Sequence, residues 1–199
     1  MHFLDVNFLI QHIGLWGVMA IVFVESGLLF GFFLPGDSLL FAVGFMASRG
    51  IFHMPVVLLG AIVCTVLSGY VGYWFGLTTG HELFEKADSL FFKKRHLEDT
   101  KKFFEKYGDR TIIISRFVPV IRTFAPTLAG IGEMDLKRFS WGNLIGGILW
   151  PASMVLLGYY LGHFVPAAEK YFLLIVVLII VLSVIPGVYE WLKNRKKKI

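Results

Sequence analysis

The sequence predicts an all-helical protein embedded in a membrane, and three observations carry that expectation. Apolar side chains make up 56% of the 199 residues and charged ones only 17%, far from the balance of a soluble domain. The apolar residues fall in long runs, from Leu15 to Ala47, Met54 to Thr78, Thr111 to Ile131, Phe139 to His163 and Tyr171 to Leu192. Lysine and arginine are absent before Arg49 and concentrate in residues 81–110 and 193–198. Such segregation marks loops on the cytoplasmic side of a bilayer.

In chain order, residues 2–14 place Phe3, Val6, Ile10 and Ile13 at roughly helical spacing with Asp5, Asn7, Gln11 and His12 between them. This predicts an amphipathic helix on the membrane surface. The following run is too short for two crossings of about 20 residues each plus a turn. It is interrupted by Leu34-Pro35-Gly36-Asp37, a turn signal. Residues 15–48 therefore read as a re-entrant hairpin broken at Pro35 and Gly36, with Glu25 on its first arm and Asp37 at its tip. Asp37 alternatively serves only to cap the next helix. Residues 53–78 are long enough for one span, and Ser68, Gly69, Gly72 and Gly76 permit close helix packing. In residues 81–108 charges of both signs alternate with apolar residues at helical spacing, predicting two interfacial helices on the cytoplasmic side, the second ended by Gly108.

Residues 111–133 are the most costly part of the chain to bury. Arg116 and Arg122 stand in an apolar run together with Pro119, Pro126 and Gly130. Two charges and several helix breakers at membrane depth point to a cavity lining. If this segment crossed fully, Lys137, Arg138 and the basic tail 193–199 would all lie outside. Entry and exit on the cytoplasmic face keeps every basic segment inside, so it reads as a second re-entrant hairpin, followed by spans 139–163 and 171–192. Gly72-Tyr73-Trp74-Phe75-Gly76 recurs as Gly158-Tyr159-Tyr160-Leu161-Gly162 in a span predicted to run the opposite way. Each of these spans follows a proline-broken hairpin, the plan of an inverted repeat with a site near the midplane. Two opposed hairpins would bring Glu25 and Asp37 to Arg116 and Arg122, where opposite charges offset one another's burial. Arginine suits phosphate geometry, so a lipid phosphate displacing a carboxylate is one use of the quartet. A desolvated carboxylate that loses its cation can take up a proton. The plainer alternative is a structural lock.

Other classes find little support. Cys64 is the single cysteine, which excludes an intramolecular disulfide and offers no thiol cluster for a metal. No HExxH, GxSxG or phosphate-binding glycine loop occurs, so neither an enzyme nor a cofactor is expected. The N-terminus lacks the basic region of a secretory signal. The basic residues near membrane ends fit topology and anionic lipid, and no nucleic-acid partner is expected.

The assembled motifs resemble the DedA family, the group sharing the VTT or "SNARE-associated" domain. The resemblance runs from Glu25 to about Gly162. It rests on Glu25-x-Gly27, Phe33-Leu34-Pro35-Gly36-Asp37-Ser38-Leu39-Leu40 and Gly72-Tyr73-x-x-Gly76. It continues through Phe91-x-Lys93-Lys94-x-His96-Leu97, Phe103-Phe104-x-x-Tyr107-Gly108, Arg116-Phe117-x-Pro119-x-x-Arg122 and Ala129-Gly130-x-x-x-Met134. Phe139, Asn143, Gly146 and Trp150 complete it. It implies opposed re-entrant hairpins, a location in the bacterial cytoplasmic membrane, and a role in moving lipids; the count of basic residues puts the C-terminus of this multi-pass chain on the cytoplasmic side. Members are linked to recycling of undecaprenyl phosphate and to phosphatidylethanolamine transport, some with dependence on proton-motive force. Carried onto this chain, the essential acidic residues match Glu25 and Asp37 and the essential arginines match Arg116 and Arg122. One departure is Ser68-Gly69, where members often carry Gly-Asp. The expected function is translocation of a polyprenyl phosphate, with Arg116 and Arg122 binding the phosphate and Glu25 and Asp37 as counter-charges and proton carriers. The alternatives are a phospholipid flippase or scramblase, and a membrane-assembly factor that transports nothing.

Overall fold

The computed structural model describes residues 6–27, 34–85, 108 and 110–164, and among these all regular structure is helical. The helices are α1 (Val6–Gly27), α2 (Gly36–Ser48), α3 (Met54–Glu85), the short α4 (110–115), α5 (Pro119–Ile131) and α6 (Leu136–Phe164). Two stretches, Met54–Thr79 in α3 and Leu136–Phe164, are long and apolar enough to cross a bilayer. The expected span 171–192, the basic tail and nearly all of the expected interfacial helices of 81–108 lie outside the described residues. Where that segment is described, it differs from expectation: α3 continues without interruption to Glu85.

Apolar and polar residues are distributed as lipid exposure requires. Leu59, Val63, Leu67 and Trp74 on α3 and Trp141, Leu149, Leu157 and Tyr160 on α6 are exposed, whereas Glu25, Thr65, Ser68, Arg116, Arg122 and Asn143 are buried. Exposed apolar stripes on long helices belong in hydrocarbon, since water would penalise them.

Helix ends follow from local chemistry. α1 is kinked at Gly14, whose φ of 63° and ψ of −170° suit a residue without a Cβ. α2 ends with Gly50 in the left-handed region (φ 77°), where the Gly50 and Ile51 amides donate to the Ala47 and Met46 carbonyls. α5 ends in the same way, except that Glu133 takes the left-handed position (φ 52°). The Glu133 and Met134 amides donate to Gly130 and Ala129. Asp135 then caps α6, its Oδ1 accepting from the Lys137 and Arg138 amides, both at 3.1 Å.

The described residues divide into two compact units. One holds α1 up to Val22, residues 34–61 and α6 from Pro151; the other holds α1 from Phe23 and residues 62–150. Within the first, α2 crosses α6 backbone to backbone. A Cβ on Gly44 would lie 3.0 Å from Val155 Cα, and one on Gly158 would lie 3.0 Å from the Phe45 amide nitrogen. Leu39, Leu40, Phe41, Val43 and Val155 are buried there. Within the second unit, α5 crosses α3 by the same device. A Cβ on Gly130 would lie 2.7 Å from the Leu77 nitrogen, and one on Gly76 would lie 3.0 Å from Thr127 Cα. Tyr73, Ile112, Ala129, Met134 and Phe139 form the adjoining core. The Tyr73 ring stacks on Phe139 at 4.5 Å, and its hydroxyl donates to the Met134 carbonyl at 2.6 Å.

The break before α5 differs from the expected one. The chain turns at residues 116–118, with Val118 extended (φ −108°, ψ 109°) ahead of Pro119 at the start of the helix. A proline disfavours helical backbone in the residue before it, which is why the break falls there. Pro126 and Gly130, expected as breakers, instead lie inside α5. Pro126 removes one amide without ending the helix, and Gly130 serves the crossing with α3.

Candidate functional site

The site of the second unit is built around Gly72 on α3. A Cβ there would lie 2.9 Å from the Gly27 carbonyl oxygen at the end of α1 and 3.1 Å from Pro126 Cβ on α5. With only a hydrogen at Gly72, α1 and α5 both approach α3 at one level. Gly27 also sits against Ser68, where a Cβ would lie 2.5 Å from the carbonyl oxygen. This junction places Glu25, two residues before Gly27, beside Arg122 in the first turn of α5. The Arg122 Nη2 donates to Glu25 Oε1, and both residues are under 5% exposed. The face of Trp150 closes the pair from α6, with its ring centroid 4.4 Å from the guanidinium carbon, a cation–π contact.

Arg116 is held differently. It stands in the turn between α4 and α5 and is 1% exposed. Its Nη2 donates to Asn143 Oδ1 at 2.5 Å and, more weakly, to the Thr65 carbonyl at 3.5 Å. Asn143 in turn donates from Nδ2 to the Val66 carbonyl at 3.0 Å. Two glycines make the slot for this side chain. A Cβ on Gly69 would lie 2.8 Å from Asn143 Cγ, and one on Gly146 would lie 2.9 Å from Arg116 Cγ. Among the described residues no carboxylate pairs with Arg116, and its Nε and Nη1 are buried without an acceptor. The hydroxyls of Ser26 and Thr127 are also buried with no hydrogen-bond partner among the described residues.

Of the four charged residues expected at the site, the structure thus brings Glu25 onto Arg122 and sets Arg116 on neutral acceptors. Asp37 belongs to the first unit, in the first turn of α2, where it is 6% exposed. A carboxylate suits the positive end of a helix. It does not act as the N-cap, a position held by Pro35 without a side-chain hydrogen bond. Asn143, Trp150 and Gly146 were legible only as parts of the family pattern, and Thr65 not at all. The signal for Asn143 was an amide inside an apolar run, which membrane burial makes as conspicuous as a charge. Among the described residues no group of His, Cys, Asp or Glu is arranged to hold a metal ion.

An open groove of about 610 Å³ is lined by Phe23 of α1 and by Leu67, Tyr70, Trp74 and Phe75 of α3 among others, with no arginine in its lining.

Two long apolar helices and a set of buried charged residues define the chain as a helical membrane protein. Comparison with known proteins narrows the class. The VTT domain model matches residues 34–160, and the chain belongs to the DedA family. It is 38% identical to protein DedA of Escherichia coli over 195 residues, covering 94% of this chain and 88% of that protein. It is 40% identical over 192 residues to an uncharacterized membrane protein of Mycobacterium tuberculosis, covering 94% and 82%. Against the E. coli inner membrane protein YqjA it is 34% identical over 159 residues, covering 77% and 70%. No solved structure matches the chain.

Proposed function

We propose that this protein is a translocase of polyprenyl phosphate, undecaprenyl phosphate in a bacterium, and that it binds the phosphate in the arginine site while the isoprenoid tail stays in lipid. The observation that carries the reading is Arg116, a buried guanidinium whose described partners are all neutral. A charge held at membrane depth in this way is costly unless an anion completes it. Phosphate is an anion whose oxygens match guanidinium donors, and a lipid headgroup is the form in which it enters a bilayer. Glu25 and Asp37 act as counter-charges and as carriers of a proton, and no chemical conversion of the lipid is involved.

The transport plan is two opposed re-entrant hairpins in an inverted repeat. Several observations support it. At 13 residues each, α2 and α5 reach about 20 Å, short of a hydrocarbon core of about 30 Å. Each crosses a long helix on facing glycines, α2 on α6 and α5 on α3, and the Gly72–Gly76 and Gly158–Gly162 echoes lie at those crossings. The name of YqjA supports an inner-membrane location, and the distribution of basic residues supports a cytoplasmic C-terminus.

The test is transbilayer movement of labelled undecaprenyl phosphate in proteoliposomes, with phosphatidylethanolamine as the parallel substrate. The reading expects the polyprenyl lipid to move with wild type and to stop with Arg116→Ala and Glu25→Gln at equal reconstitution. Preferential movement of phosphatidylethanolamine would transfer the site to a phospholipid carrier. Movement of neither lipid under an imposed proton gradient would refute transport.

A further inference from the structure

We infer that Asn143 is the positioning residue that holds Arg116 charged and ready for its anion, and that Arg116, not Arg122, receives the phosphate. The inference rests on the lipid-phosphate reading above and divides the two arginines that the sequence treats alike.

The division starts from what each guanidinium touches. Arg122 meets the carboxylate of Glu25 and the face of Trp150, so its charge is already compensated within the protein. Arg116 meets an amide oxygen and a backbone carbonyl. These acceptors fix its position but cancel none of its charge. Nε and Nη1 remain buried donors without an acceptor among the described residues. An incoming phosphate therefore finds its strongest unmet donors on Arg116.

Asn143 is suited to holding without neutralising. Its two ends face opposite kinds of partner, the Val66 carbonyl on one side and the guanidinium on the other. Only one orientation of the amide satisfies both, with Nδ2 on the carbonyl and Oδ1 on the arginine. The reversed amide would set donors against donors and oxygen against oxygen. Gly69 and Gly146 leave a slot that admits this pair of side chains and little else. Aspartate has nearly the same shape as asparagine and, at the cost of the hydrogen bond to the Val66 carbonyl, would neutralise the arginine. Asparagine at this place keeps the position and leaves the positive charge available to a ligand.

That contrast supplies the test. The full-length protein is purified in detergent, and binding of farnesyl phosphate, inorganic phosphate and uncharged farnesol is measured by titration calorimetry. The melting temperature without ligand is recorded for the same samples. Wild type is expected to bind farnesyl phosphate and not farnesol; inorganic phosphate binding as well would show that the headgroup alone suffices, and its failure would show that the lipid chain is needed. Both results support Arg116 as receptor. Asn143→Asp places a carboxylate on Arg116 at almost unchanged volume. It gains a charge pair with Arg116 but sets an oxygen against the Val66 carbonyl, so it is expected to melt above Asn143→Ala and to bind farnesyl phosphate at least about tenfold more weakly than wild type. Asn143→Ala keeps the charge but releases it, so it should bind more weakly and also melt lower. A merely structural Asn143 would not separate stability from binding in this way. Asn143→Asp binding farnesyl phosphate as tightly as wild type would overturn the inference and leave the lipid-phosphate reading in place. An Asn143→Asp protein that melts no higher than Asn143→Ala would also overturn it, because the carboxylate would not be meeting the arginine. Wild type that binds neither phosphate compound would overturn the reading itself, and the receptor role with it.

Discussion

Replacing Glu25 by Gln tests the buried ion pair with the least change of shape. Glutamine retains an oxygen that can accept from Arg122, so what is removed is the negative charge. Two unit charges about 4 Å apart attract by about 4 kcal/mol at the effective dielectric constant of about 20 that suits protein interiors. The neutral hydrogen bond that remains contributes about 1 kcal/mol, and the Trp150 contact is unchanged. The expected loss is therefore about 3 kcal/mol, at the lower end of the ~3–5 kcal/mol seen when one member of a buried pair is removed. For a chain of this size that corresponds to a fall in melting temperature of about 6–12 °C, measurable in detergent by intrinsic fluorescence. Arg122→Met alone should cost a similar amount. The double variant Glu25→Gln with Arg122→Met should cost much less than the two together, with a coupling of about 2 kcal/mol. Additive losses would refute the pairing, and so would a Glu25→Gln protein that melts within 1 °C of wild type.

Three further outcomes follow from the packing. Gly130→Ala drives a Cβ toward the backbone of Tyr73 and Leu77 on α3, which cannot yield as a side chain can. It should destabilise by about 1–3 kcal/mol, read as a lower melting temperature, with lost lipid movement as α5 shifts Arg122. Tyr73→Phe deletes the donor to the Met134 carbonyl and should cost about 1–2 kcal/mol while the stacked ring stays in place. Asp135→Ala removes the cap of α6. It should cost about 1 kcal/mol yet leave lipid movement unchanged once the protein is reconstituted.

The parts of the site legible in the sequence are those with a high burial cost. Glu25 and Arg122 stand 97 residues apart, yet each is too expensive to bury alone, and that expense singled out both. Asn143 carries no charge, so the same reasoning passed over it, although it does as much to hold Arg116. Pro126 and Gly130 show a different limit. Proline inside a helix and proline ending one are the same letter, and the outcome depends on whether neighbours tolerate one missing hydrogen bond. Glycine that breaks a helix and glycine that admits another helix are likewise indistinguishable until the partner is known. The charges after residue 80 read as the start of a new element, but backbone continuity through Glu85 depends on helix propensity, which a change of polarity does not interrupt. The break at 116–118 was legible in principle from Pro119, since the residue before a proline resists helical backbone.

α3 carries both the carbonyl of Thr65, which touches Arg116, and the backbone of Tyr73, on which α5 rests. Eight residues of rigid helix separate them, about 12 Å along the axis. A tilt of α3 by about 10° around the Tyr73 crossing would carry Thr65 sideways by about 2 Å, far beyond what a hydrogen bond tolerates. The mooring of Arg116 is thus a gauge of the angle of α3, secure at one setting of the rod and slipped at another.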